Sequence, residues 1–176
     1  MLNIDFKQID YLQTGNAKQR LAYRTLTDNN ILDILYEFDP ILVGTIPINI
    51  DIENSDLDII CYIVDREYFK QHIERNFDHY SEFKIWENNT LQHHAVVASF
   101  QTDDFEIEIF GQNVPTSQQN AYRHMIIEHQ LLIQNGKEFR NKVIELKQKG
   151  MKTEPAFAHI LGLEGNPYEA LLRLES

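Results

Sequence analysis

The sequence predicts an α+β fold. Short strand-like segments gather in its middle, helical spacings of apolar residues occupy both ends, and neither an internal repeat nor a low-complexity linker interrupts the pattern. At the start, Leu12, Leu21, Leu26, Ile31, Leu32 and Leu35 recur at intervals that suit helix faces. Asp28 is placed to cap a helix over about 29–38, which Pro40 closes. ILVG at 41–44 is a short strand ending in Gly44, and TIPINIDIENS after it is polar and irregular, with Pro47 against a long strand. DLDIICYIV at 56–64 reads as a strand with a buried end. Asp65 opens a helical pattern that ends near Asn76. Two further strands follow, FKIWENN at 83–89 and LQHHAVVASFQ at 91–101, then a turn at Thr102–Asp104. FEIEIFGQ at 105–112 alternates apolar and acidic residues, the period of a half-buried strand. Beyond Pro115 the chain reads as helix, broken near Gly136, Gly150 and Gly165. The expected organisation is a core over 1–115 and a helical extension over 116–176, packed as one compact unit.

With 176 residues and 43% hydrophobic composition, the chain can bury a substantial core. MLNIDFKQID carries charges where a signal peptide needs an apolar stretch, and the apolar runs fall far short of the roughly 20 residues that span a bilayer. The single cysteine, Cys61, excludes an intramolecular disulfide framework and a Cys-cluster zinc site. The expectation is a soluble, cytoplasmic protein. Its formal charge is −11, with 27 Asp and Glu against 16 scattered Lys and Arg. A basic stripe that would neutralise a long phosphate backbone is missing from the sequence. A small nucleotide whose phosphates are screened by metal suits this balance better than DNA or RNA.

The chemistry concentrates at Asp56 and Asp58. Residues two apart on a strand share a face, so these carboxylates project together while Leu57, Ile59 and Cys61 point away. Their repulsion has to be relieved by a proton or a cation. A hard divalent ion does this well: Mg2+ takes one or two carboxylates and leaves positions for water and phosphate oxygens, the arrangement phosphoryl transfer needs. Gly44 permits either a turn or the close approach of backbone N–H groups to an anion. Ser55 either steadies the loop or contacts phosphate. On 105–112, Glu106 and Glu108 share a face opposite Phe105, Ile107 and Ile109.

Val43-Gly44-Thr45, ten intervening residues and then Asp56-Leu57-Asp58 resemble the signature of the polymerase-beta-like nucleotidyltransferase superfamily, most strongly over 41–62 and less so to 110. In that signature a hydrophobic residue and Gly are followed by Gly or Ser, then by the acidic pair; Thr45 keeps the hydroxyl and adds bulk. The resemblance implies a small mixed sheet carrying the carboxylates, flanking helices and a helical C-terminal region. It also implies a small bacterial branch, nearer in size to the antibiotic-modifying nucleotidyltransferases than to polymerases. The implied activity moves a nucleotidyl group from a nucleoside triphosphate to a hydroxyl of a small molecule or protein. By the same resemblance, Mg2+ (or Mn2+) is held by Asp56 and Asp58 with Glu108, or Glu106 as second choice, as third ligand or general base. Gly44, Thr45, Ser55 and Arg123 would serve the nucleotide. An alternative is a catalytically inactive nucleotide-binding or protein-interaction module of the same fold.

Other candidates carry less. A guanidinium meets phosphate through two parallel hydrogen bonds, so Arg123 suits a triphosphate, yet it suits a surface acid such as Glu128 equally. His124 and Glu128 stand four apart, close enough to bond along a helix. Gln112 and Gln118–Asn120 follow the acidic strand and are placed to line a pocket. Arg20 and Arg24 share a helix face. His93 and His94 are adjacent, so on a strand they face opposite ways. No Walker loop, GxGxxG, G-x-S-x-G or HExxH motif is present.

Overall fold

The computed structural model describes residues 4–90 and 94–175; His93, with Leu91 and Gln92 at the start of an expected strand, lies outside them. The described strands are β1 (Ile41–Val43), β2 (Leu57–Tyr62), β3 (Ser81–Asn88), β4 (Ala95–Gln101) and β5 (Glu106–Gln112). They form one five-stranded sheet in the order β1-β2-β5-β4-β3. β2 and β5 run parallel, and the other neighbours are antiparallel. Before and between the strands lie α1 (Ala17–Asp28), α2 (Ile31–Ile34) and α3 (Arg66–Phe77); after them come α4 (Asn120–Gln148), α5 (Thr153–Leu161) and α6 (Pro167–Leu172). Among the described residues, no helix is long and apolar enough to cross a membrane.

Strand periodicity sorts the side chains onto two faces. On one, Leu57, Ile59 and Cys61 of β2 and Ile107 and Ile109 of β5 join a core with Leu26 of α1 and Phe69, Ile73 and Phe77 of α3. On the other, Ile41, Val43 and Ile60 pack with Met125 and Val143 of α4 and Phe157 of α5. Asp58 and Glu108 belong to this second face, beneath the C-terminal helices.

Local signals explain most of the boundaries. Asn16 and Gln19 form a reciprocal capping box at the start of α1. Asp65 caps α3 through the Tyr68 N–H, as its position predicts. The helix expected over 29–38 is corrected: Asp28 ends α1 instead of opening a helix. Asn30 adopts φ 52°, and only the four residues of α2 and a 3-10 turn at Tyr36–Phe38 follow. Asn29 and Asn30 tolerate the turn because an amide side chain can satisfy nearby backbone; Asn29 donates to the Thr25 carbonyl at 2.8 Å. Gly136, at φ 73° and ψ −163°, kinks α4 where the sequence places a break.

Candidate active site

β2 and β5 form the floor of a cavity of about 720 Å3, and α4 and the first turn of α5 form its wall. Their parallel register makes Asp58 and Glu108 direct neighbours. Both are half-buried, whereas Asp56, just ahead of β2, and Glu106 are exposed. Burial, and then Asp56, Glu108, Glu106 and Glu154, push the Asp58 carboxyl from its ordinary 3.8 up to about 8. Burial, Asp56 and Glu106 likewise raise Glu108. Among the described residues no Lys, Arg or His forms a salt bridge with any of these four carboxylates. The floor is therefore a cluster of carboxyl groups with no basic side chain paired to them.

Gly44 has a specific duty here. Its φ is +85°, and a Cβ at this position would lie 2.5 Å from Asp58 Oδ2. The glycine thus gives Asp58 the space to sit against the end of β1. Thr45 Oγ1 and Ser55 Oγ lie 3.3 Å apart, and Ser55 Oγ accepts the Ile52 N–H at 2.9 Å. Ser55 steadies the loop between β1 and β2, and Thr45 spends its hydroxyl on the same contact.

That loop is irregular, so its carbonyls need donors from elsewhere. Gln19 of α1 donates to Ile46 and Pro47 at 2.9 and 3.2 Å, and Lys18 donates to Ile52 and Glu53 at 2.6 and 3.0 Å. From α4, Arg140 donates to Ile48 and Asn49 at 2.6 and 2.8 Å, and Lys147 to Ile50 at 2.7 Å. Lys147 is only 7% exposed, and burial pulls its ammonium down to about 8. These four side chains fix the segment that delivers Asp56 and Asp58. Nothing local in the sequence marks them, because each acts on a partner 27 to 97 residues away.

The wall brings in residues of mixed duty. Gln112, Gln118, Gln119 and Asn120 line the cavity, as their places in the sequence suggest. Gln119 also donates to the Cys61 and Val114 carbonyls at 2.9 Å each, tying the start of α4 to the end of β2. Arg123 reaches the cavity but is held by Glu175, with Nε 3.0 Å from both carboxylate oxygens; the surface acid it pairs with is therefore Glu175, not Glu128. His124 and Glu128 do not bond along the helix. His124 Nε2 lies 2.9 Å from the Tyr168 carbonyl and Nδ1 lies 3.6 Å from Glu154 Oε1. Arg20 and Arg24 lie away from the cavity, Arg20 donating to the Gly15 carbonyl. His94 is exposed beside Arg66.

Asp58 and Glu108 put carboxylate oxygens on the floor, the ligand type a hard divalent ion prefers. Among the described residues no three His, Cys, Asp or Glu side chains already form a cage for an ion.

The fold is shared with solved structures. The Cid1 poly(U) polymerase with MgGTP bound superposes with a TM-score of 0.55 at 13% identity, over 86% of this chain and 49% of that one. GLD-2 in its complex with RNP-8 gives 0.53 at 13%, over 86% and 57%. The polymerase core of TRAMP, an RNA surveillance complex, gives 0.52 at 10%, over 93% and 50%. At these identities the likeness shows the fold, a nucleotidyltransferase-like one. The chain spans about half the length of the solved chains it matches. No curated protein matches it by sequence. A family described as "Domain of unknown function (DUF4269)" matches residues 24–174.

Proposed function

The chain belongs to the DUF4269 family, and we propose that it is a metal-dependent nucleotidyltransferase, moving a nucleotidyl group from a nucleoside triphosphate to a hydroxyl of a small molecule or protein. The observation that carries this is the parallel pairing of Asp58 with Glu108 under Gly44, on the floor of a cavity large enough for a nucleotide. A fold shared with a polymerase that holds MgGTP supports the nucleotide class.

Asp56, Asp58 and Glu108 would hold Mg2+ (or Mn2+), with Glu106 as the alternative third ligand. When bound, the ion supplies neutralisation of phosphate charge and alignment of the attack. Gly44 keeps Asp58 in place, and the side chains clamping the loop keep Asp56 beside it. Glu108, whose carboxyl burial raises above its ordinary range, would alternatively serve as the general base that takes the acceptor proton. The acceptor oxygen bonds to the α-phosphorus, the bond to the bridging oxygen breaks, and pyrophosphate leaves with the electron pair.

A second reading, a nucleotide-binding or protein-interaction module without turnover, is favoured by one observation. Thr45, Ser55 and Arg123, which would serve the phosphates, are all engaged within the protein. Calorimetry with Mg2+ and each of the four NTPs, on wild type and Asp58→Asn, together with pyrophosphate release in the presence of pooled metabolites, separates the two. The transferase reading expects Mg2+-dependent binding and release, both lost in Asp58→Asn. Tight binding without release supports the module, and equal binding by both proteins refutes the site.

A further inference from the structure

The cavity wall carries charge that the transfer chemistry leaves unused. Glu128 of α4 lines the cavity and is only 4% exposed, yet its Oε1 has no hydrogen-bond partner. Glu154, in the first turn of α5, lines the same wall. Burial first, and then Glu154, raise the Glu128 carboxyl well above its ordinary range, and Lys147 draws it back only in part. A buried carboxyl without a partner costs stability that an apolar side chain of similar volume would not. The cations nearby are already committed, Lys147 to the Ile50 carbonyl and Arg123 to Glu175. His124, the remaining basic side chain on this wall, spends Nε2 at the Tyr168 carbonyl and sets Nδ1 3.6 Å from Glu154 Oε1, which leaves Glu128 Oε1 as the acid oxygen without a partner.

We infer that Glu128 and Glu154 form a subsite for the ammonium group of a hydroxyl-bearing organic amine, which is the acceptor class of the transfer. An ionised carboxylate only accepts and an ammonium only donates, so an ammonium here draws Glu128 into its ionised form, satisfies the orphaned oxygen and offsets the repulsion between the two acids. The cavity floor and this wall share one volume, so an amine anchored here lies in the same chamber as Asp58 and Glu108. The acceptor role rests on the transferase reading; binding of the amine does not.

The test is calorimetric titration of the full chain at pH 7.5, without nucleotide or Mg2+, using glucosamine and glucose, which differ at C2 by ammonium against hydroxyl. The expected result is saturable glucosamine binding at least tenfold tighter than that of glucose. At least one of Glu128→Gln and Glu154→Gln should weaken it tenfold or more. Glu154 is half-buried, so its variant remains informative should the substitution at Glu128 disturb folding. Equal binding of the two sugars, no saturable binding of glucosamine, or binding untouched by both substitutions overturns the inference. Mg2+-nucleotide binding is read separately in Asp58→Asn, so the subsite and the transferase reading fail independently.

Discussion

Asp58 is held in a place its own charge resists. With its carboxyl raised from 3.8 to about 8 in the folded state, the native protein keeps a proton that the unfolded chain has already released between those values. The unfolded state therefore binds fewer protons across that window, and stability falls as pH rises through it. Metal-free protein should melt at a lower temperature at pH 8 than at pH 6. Asp58→Asn should flatten that slope and melt above wild type at pH 8; a thermal melt series across pH checks both. Gly44 is the second residue on which the geometry turns. Gly44→Ala combines a left-handed φ, costing about 1–2 kcal/mol for a residue with a Cβ, with a methyl 2.5 Å from Asp58 Oδ2. Both a lowered melting point and loss of Mg2+ binding are expected, whereas an ordinary turn glycine would lose stability alone.

At the scale of elements, the strands and their faces were legible because a period of two is a local property. Leu57, Ile59 and Cys61 enter one core and Asp58 faces the other, as alternation requires. Glu108 over Glu106 is a matter of register, which no single strand reveals: the parallel pairing sets Glu108, and not Glu106, beside Asp58. The stretch near 29–38 misled because its apolar spacing suits a helix, while the Asn29-Asn30 turn that breaks it depends on contacts with α1 and Tyr80. The clamps on the loop between β1 and β2 were invisible for a similar reason, since they join α1 and α4 to carbonyls distant in sequence. Gln19→Ala removes the buried donor to two carbonyls and half of a capping box. It should cost about 1–3 kcal/mol, read as a lower urea midpoint with an unchanged m-value.

Across the whole molecule, acidic side chains outnumber basic ones, and several of them gather where the chemistry is proposed to occur. The chain carries −11 overall, its cavity is floored by carboxyl groups, and the buried Lys147 and the half-buried Arg140 are spent on loop carbonyls. Such a chamber suits the occupants proposed for it, a divalent ion on its floor and an organic cation on its wall. The chain spans about half the length of the solved chains that share its fold. The central claim is that Asp56, Asp58 and Glu108 meet on one ion. A crystal grown with Mn2+ and a non-hydrolysable nucleoside triphosphate tests it directly through the anomalous signal. The account predicts manganese bridging phosphate and these carboxylates at about 2.0–2.3 Å; an ion bound elsewhere, or a nucleotide lodged away from Asp58, would contradict it.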